Sequence, residues 1–335
     1  MGSKMSSKTF ALCSIMSLSA GMSIAEAPQV AVDIAPVHSL VARVMEGVGT
    51  PDLIIPAGAS PHEYNLRPSE AASLQNADVV FWVSASLTPW MKNAIETLAE
   101  DAVVTELFEV EGTLKLPFRQ GVLFEEHDDH DGHDDHDGHD DHEGHDDHEG
   151  HDDHEAHDDH EGHNHDGDDP HAWLSPDNAA VWLNAIAQTL SKVDPDNASQ
   201  YYLNAAAGQK ELRELSTKIN GILAPFEGRN FIVFHDAFQY FEKAFDFYAA
   251  GAISLSDARD PSPARIAKIQ NRINEQNISC ILSEPQFNPN IVAAVASGSD
   301  VKMGILDPLG VGLELGETLY FQTLHNLAKA LSDCL

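Results

Sequence analysis

Apolar runs of strand length alternate with stretches of helical period along most of this chain. In the first half the runs are "VAVDI", "PDLII", "DVVFWV" and "AVVTEL". Between them lie a helical pattern over residues 37–46, one starting near Ser69, and "TPWMKNAIETLAE", with Thr88 placed as cap and Pro89 in the first turn. The order strand, helix, strand predicts βα units around a parallel sheet. The pattern is interrupted over 127–169 and resumes with "DPHAWLSPDNAAVWLNAIAQTL", where Ser175 caps and Pro176 starts a helix. A long helical stretch follows over 197–223, stopped by Pro225. At 1.5 Å per residue it would run about 40 Å, enough for a stiff connector. Beyond it "NFIVFH", "FYAAGAI", "SCILSE" and "VKMGIL" supply four more strands, with helices between and a closing helix from about Glu317. The fold class expected is α/β: two βα lobes with central sheets, residues 28–195 and 225–335, joined by a long rigid helix over 196–224.

Composition changes this picture at the ends and in the middle. A chain of 335 residues with 42% hydrophobic residues can fill two cores. Residues 1–27 place Lys4 and Lys8 before a short apolar run that ends in small residues, the pattern of a secretory signal. An exported, soluble protein is therefore expected. Cys13 leaves with the signal, so Cys280 and Cys334 remain as one pair in an oxidising compartment. They invite a disulfide closing a loop of about 55 residues, on the order of 4 kcal/mol by loop entropy. Two unrelated thiols are the alternative.

The net charge of −35 is concentrated in one place: residues 125–169 hold 23 carboxylates and no Lys or Arg, and without them the charge is −12. No basic patch exists to neutralise phosphates, which excludes nucleic acid as a partner. In the same segment a histidine recurs every third residue: His127, His130, His133, His136, His139, His142, His145, His148, His151, His154, His157, His160 and His163, followed by His165. With almost no apolar residues, 127–169 cannot bury enough surface to fold alone and is expected as a disordered loop in the first lobe. In an extended chain of about 3.1 Å rise neighbouring histidines lie roughly 9 Å apart, so sharing a metal requires the chain to fold back. Many alternative pairings then give several weak, exchanging sites. Flanking carboxylates raise the histidine pKa values, so protons compete with metal near neutral pH. A charged, solubilising loop is the plainer reading.

Five histidines lie outside the tract: His38, His62, His171, His235 and His325. His62 sits in a Pro/Gly-rich loop after "PDLII", His171 just after the tract, and His235 at the end of "NFIVFH". Strand ends and the loops after them line the crevice in α/β lobes. Three imidazoles with an open or carboxylate fourth position make a zinc site, and Asp307 ends the last apolar run in the same way. Taken singly, each histidine reads more simply as a surface or satisfied buried residue, and their separation gives no CxxC- or HExxH-like signature. His38 reads as a cap or an outer neighbour of the crevice, and His325 as a solvent-facing helix residue. Trp173 would wall the site or serve the core, and Asp236 would orient His235 or cap a helix.

The stretches "GASPHEYNLRPS", "DPHAWLSPDNA", "FIVFHDAFQYF", "SEPQF" and "LDPLG", in this order, resemble the periplasmic zinc-binding proteins of ABC uptake systems, the ZnuA-like family. The likeness spans nearly the whole mature chain, and the closing "SDCL" with an upstream "SC" resembles that family's disulfide. The resemblance implies two lobes bridged by a rigid helix with the metal in the cleft. It carries ligand roles onto His62, His171 and His235. Manganese-binding relatives have Glu where this chain has His235, so it leans towards Zn²⁺. Asp307 or a water completes the site, with Glu63 a weaker candidate. The implied partner is the membrane permease of an ABC zinc transporter, with the binding protein itself a monomer and the tract an auxiliary zinc binder. Two other functions carry the same residues: a manganese or iron carrier of this fold, and a zinc hydrolase. The hydrolase lacks an HExxH helix, a Ser nucleophile motif and a phosphate loop.

Overall fold

The apolar runs are strands in two parallel sheets of four. The computed structural model describes residues 27–119, 167–254 and 261–335, together with Gly2 and Phe124. In the first lobe β1 (Val30–Val32), β2 (Asp52–Leu53), β3 (Val79–Trp82) and β4 (Val103–Glu106) are ordered β2-β1-β3-β4. In the second, β5 (Phe231–His235), β6 (Ala252–Ser254), β7 (Cys280–Ser283) and β8 (Lys302–Ile305) repeat that order as β6-β5-β7-β8. Every residue of β1, β3 and β5 is buried, which is why these strands read as unbroken Val/Ile/Phe runs rather than as alternation. The edge strands β4 and β8 are half open to solvent.

The helices are α1 (Ala35–Val44), α2 (Pro68–Gln75), α3 (Pro89–Leu98), α4 (Pro176–Val193), α5 (Ala198–Leu223), α6 (Gln239–Phe245), α7 (Pro263–Glu275), α8 (Pro289–Ala296) and α9 (Leu319–Cys334). Several begin with proline, whose missing N–H costs nothing in the first turn. The Ser175 hydroxyl accepts from Asn178 N at 3.2 Å, as a cap should. Thr88 does not cap α3: its hydroxyl donates to Ser84 O at 3.2 Å, because burial leaves that carbonyl as its partner.

Helix α5, 26 residues long, leads from the first lobe to β5 but is no free rod. Asn204 donates to Val44 O and Glu46 O, Gln209 donates to Ala180 O, and Arg43 pairs with Glu211. Gly208 lets α5 approach α4, since a Cβ there would lie 2.9 Å from Leu183 Cδ1. Helix α9 returns to the first lobe, where Tyr320 N donates to Ser39 Oγ at 2.9 Å and its hydroxyl donates to Trp173 O at 2.6 Å. One apolar core therefore draws on both lobes. Cys280 and Cys334 are joined with Cα atoms 5.7 Å apart, tying α9 to β7.

The signal expected over 1–27 lies, except for Gly2 and Ala27, outside the described residues, and so do all fourteen tract histidines. The tract's expected end needs a correction. Gly167–Asp169 belong to the fold: Asp168 bridges to Pro117, and Asp169 is 1% exposed. Acidic composition runs on past the point where backbone pairing begins. Among the described residues no helix is long and apolar enough to cross a membrane.

Candidate metal centre

In each sheet the strand order reverses beside the first strand of the lobe, between β1 and β3 and between β5 and β7. Ligands of open α/β sheets bind at such a point, outside the carboxyl ends of the strands. His235 is the last residue of β5 and Glu284 the first after β7. Their meeting follows from the topology: the Glu284 carboxylate accepts from His235 Nδ1 at 2.7 Å and from His235 N at 3.3 Å.

The first lobe brings two more imidazoles to this point. His171 precedes a short turn, Ala172–Leu174, and its Nδ1 lies 2.6 Å from Asp169 Oδ1, which also accepts from His171 N at 3.0 Å. His62 comes on the loop between β2 and α2. Trp90 donates to Pro61 O at 2.9 Å, and Gln286 reaches from the second lobe to Ala57 O at 3.0 Å, so both lobes hold that loop. His62 is half-buried, whereas His171 and His235 are 5% and 4% exposed.

One nitrogen from each ring lies within 4.8 Å of the other two. His171 Nε2 and His235 Nε2 are 3.3 Å apart. A carboxylate only accepts, so each Nδ1 carries a proton, and in the neutral tautomer this fixes, the Nε2 lone pair is bare and turned to the cleft. Two bare lone pairs facing each other repel unless a cation lies between them. Zn–N bonds of about 2.0–2.1 Å at a tetrahedral angle place two nitrogens about 3.3 Å apart. The donor set thus suits a four-coordinate ion of borderline softness and disfavours Mg²⁺ and Ca²⁺, which want oxygen shells. Trp173, Phe287, Pro308 and Leu309 wall the cleft. The ring of Trp173 lies 5.2 Å from that of His171 and its Nε1 donates to Pro308 O, so it serves both wall and core.

Other residues singled out in the sequence lie elsewhere. The carboxylate of Asp307 accepts from the backbone of Leu309 at 3.0 Å, of Gly310 at 3.1 Å and of Val311, and it is not a member of the three-imidazole group. Glu63 is exposed and also outside the group. Asp236 is bound by Arg119, and burial pushes its carboxyl above the usual range against the pull of that guanidinium. His38 is buried in α1 with Nε2 3.0 Å from Pro51 O, and burial holds its pKa below the ordinary value. His325 is half-buried on α9. The two ring-orienting carboxylates, Asp169 and Glu284, were not assigned from sequence; the only signal available was an acid within each motif, "DPH" and "SEPQF".

Two α/β lobes of matching strand order, meeting over a group of three imidazoles, define a two-lobed binding protein whose cleft is equipped for a metal ion. Comparison with known proteins gives the particular family. The family model described as "ZnuA: Zinc-uptake complex component A periplasmic" matches residues 30–334, and the chain belongs to that family. It is 46% identical over 316 residues to the high-affinity zinc uptake system protein ZnuA of Brucella abortus (strain 2308), covering 94% of each chain. The protein of the same name from Paracoccus denitrificans (strain Pd 1222) is 46% identical over 312 residues, covering 93% of each. Among solved structures, a ZnuA crystal structure superposes with a TM-score of 0.70 at 20% identity, covering 92% of this chain and 99% of that one. The periplasmic zinc-binding protein TroA of Treponema pallidum gives 0.72 at 18% identity, with 92% and 99% covered; at these identities the likeness is one of fold.

Proposed function

We propose that this protein captures Zn²⁺ in the periplasm and delivers it to the membrane permease of an ABC-type uptake system. The observation that carries the reading is the pair of Nε2 atoms 3.3 Å apart, each ring held by a carboxylate on its other nitrogen. His62, His171 and His235 are the ligands. The backbone bonds of Asp307 favour solvent over that carboxylate in the fourth position. The fourteen tract histidines act as an auxiliary, weaker collector, tethered where its local concentration at the cleft is high. Residues 1–27 direct export, and the protein works as a monomer.

Relatives named for high-affinity zinc uptake at 46% identity support zinc over manganese or iron. Binding is favoured over hydrolysis because the carboxylates at the cleft, Asp169 and Glu284, each accept from a ring N–H, the arrangement that orients a metal-ligating imidazole. Competition titration of the apo protein with Zn²⁺ and Mn²⁺ tests the reading. One tight Zn²⁺ site is expected, retained when 127–165 are deleted and lost when His62, His171 and His235 are all replaced by Ala. Tighter Mn²⁺ binding, or loss of the tight site with the tract, would overturn it.

A further inference from the structure

The segments on either side of the His-rich tract, 116–118 and 167–169, pair in a short stalk, and that stalk touches the metal centre. Asp169 N donates to Leu116 O at 2.7 Å and Phe118 N to Gly167 O at 3.2 Å, with Pro117 and Asp168 in an antiparallel bridge between them. The stalk stands on α6 of the second lobe. The Tyr240 hydroxyl donates to Asp169 O at 2.7 Å and accepts from Leu116 N at 3.0 Å. Gln239 Nε2 donates to Pro117 O at 3.1 Å and to Asp169 Oδ2 at 3.2 Å.

Arg119, next along the stalk, reaches the second lobe with its whole guanidinium. Nε donates to both oxygens of Asp236 at 3.0 and 3.1 Å, Nη1 to Glu242 at 2.7 Å, and Nη2 to both carboxylates. The side chains of Asp236 and Glu242 are 7% and 1% exposed, and the Phe124 ring lies 3.6 Å from the guanidinium carbon. Asp236 follows His235 in the chain. Asp169, carried by the same stalk, holds His171 Nδ1.

We propose that Arg119 is a positioning residue of the metal centre: it clasps the stalk to the second lobe and so fixes His171, through Asp169, against His235. The inference rests on the reading of His171 and His235 as zinc ligands. It differs in sign from a purely electrostatic role. Removing a cation beside two buried carboxylates makes the field at the cleft more negative, which by Coulomb's law would hold Zn²⁺ more tightly. Loss of a clasp lets the two rings part and holds it less tightly. Arg and Lys also separate here, because a lysine ammonium keeps the charge but cannot engage both carboxylates in forked geometry.

The test uses the full chain with Arg119→Met, Arg119→Lys and, as a remote control, Arg43→Met, which breaks the part-buried pair that Arg43 of α1 makes with Glu211 of α5. Zn²⁺ release into excess chelator is timed, and the visible spectrum of the Co²⁺ form is recorded. Arg119→Met should release Zn²⁺ about 10-fold faster, the low end of the range for losing a direct partner of a metal ligand because Arg119 acts one contact further out, with altered Co²⁺ bands. Arg119→Lys should fall between it and the wild type, and Arg43→Met should match the wild type. Release from Arg119→Met at or below the wild-type rate would overturn the clasp, as would equal acceleration in Arg43→Met. Should the Met variant not fold, a Lys variant indistinguishable from wild type in both readouts would also overturn it. A wild type with no tight zinc site would instead overturn the zinc reading itself.

Discussion

The two lobes share one strand order yet treat the same topological position in opposite ways. In the second lobe the point between β5 and β7 is open, and it presents His235 backed by Glu284. In the first lobe the equivalent point between β1 and β3 is closed by Asp33. That carboxylate is fully buried and accepts from Ile34 N and Val83 N, both at 2.7 Å. The first lobe therefore supplies its imidazoles from loops, His62 before α2 and His171 at the foot of the stalk. Topology makes a site available, and the side chains at the strand ends decide whether a lobe uses it or seals it.

The comparison breaks if the open point can lose its histidine without consequence. His235→Ala should weaken Zn²⁺ binding by at least about a thousandfold, near 4 kcal/mol, in a competition titration. A smaller change is expected from the residue behind it. Glu284→Gln keeps the size but no longer fixes the ring tautomer, and should cost about 10- to 100-fold in affinity with the apo protein still folded by circular dichroism.

The sealed point should affect stability and leave zinc binding alone. Burial pushes the Asp33 carboxyl up from 3.8 to about 7. Between these values the native state keeps a proton that the unfolded chain gives up, so stability falls as pH rises through that window. Asp33→Asn should flatten this fall in urea unfolding of the apo protein at about pH 5 and about pH 7.5. Its Zn²⁺ affinity should equal that of the wild type; a loss of affinity would mean that the first lobe's switch point does serve the metal.

All of the strands were legible as apolar runs: the central ones because strands buried on both faces need them, and the half-open edge strands β4 and β8 because "AVVTEL" and "VKMGIL" keep a run of strand length. His62, His171 and His235 stood out because they fall at strand ends or in the loops between elements. What holds the rings was not legible. Glu284 lies 49 residues from His235 and meets it only because β7 pairs with β5. Asp169 was hidden by its company, since acidic composition does not mark where the stalk begins. The motif "LDPLG" names an aspartate but not what its oxygens face. Gly310, at φ +76°, turns the backbone there so that three N–H groups point at Asp307. Arg119 gave no signal, because its partners lie 117 and 123 residues away.

On the proposed function, the tight site is the cleft between the lobes and not the histidine tract. Anomalous diffraction at the zinc edge, from crystals of the full chain given one equivalent of Zn²⁺, tests it most directly. One strong peak within bonding distance of His62, His171 and His235 is expected. An empty cleft, with the zinc signal on the tract histidines, would contradict it.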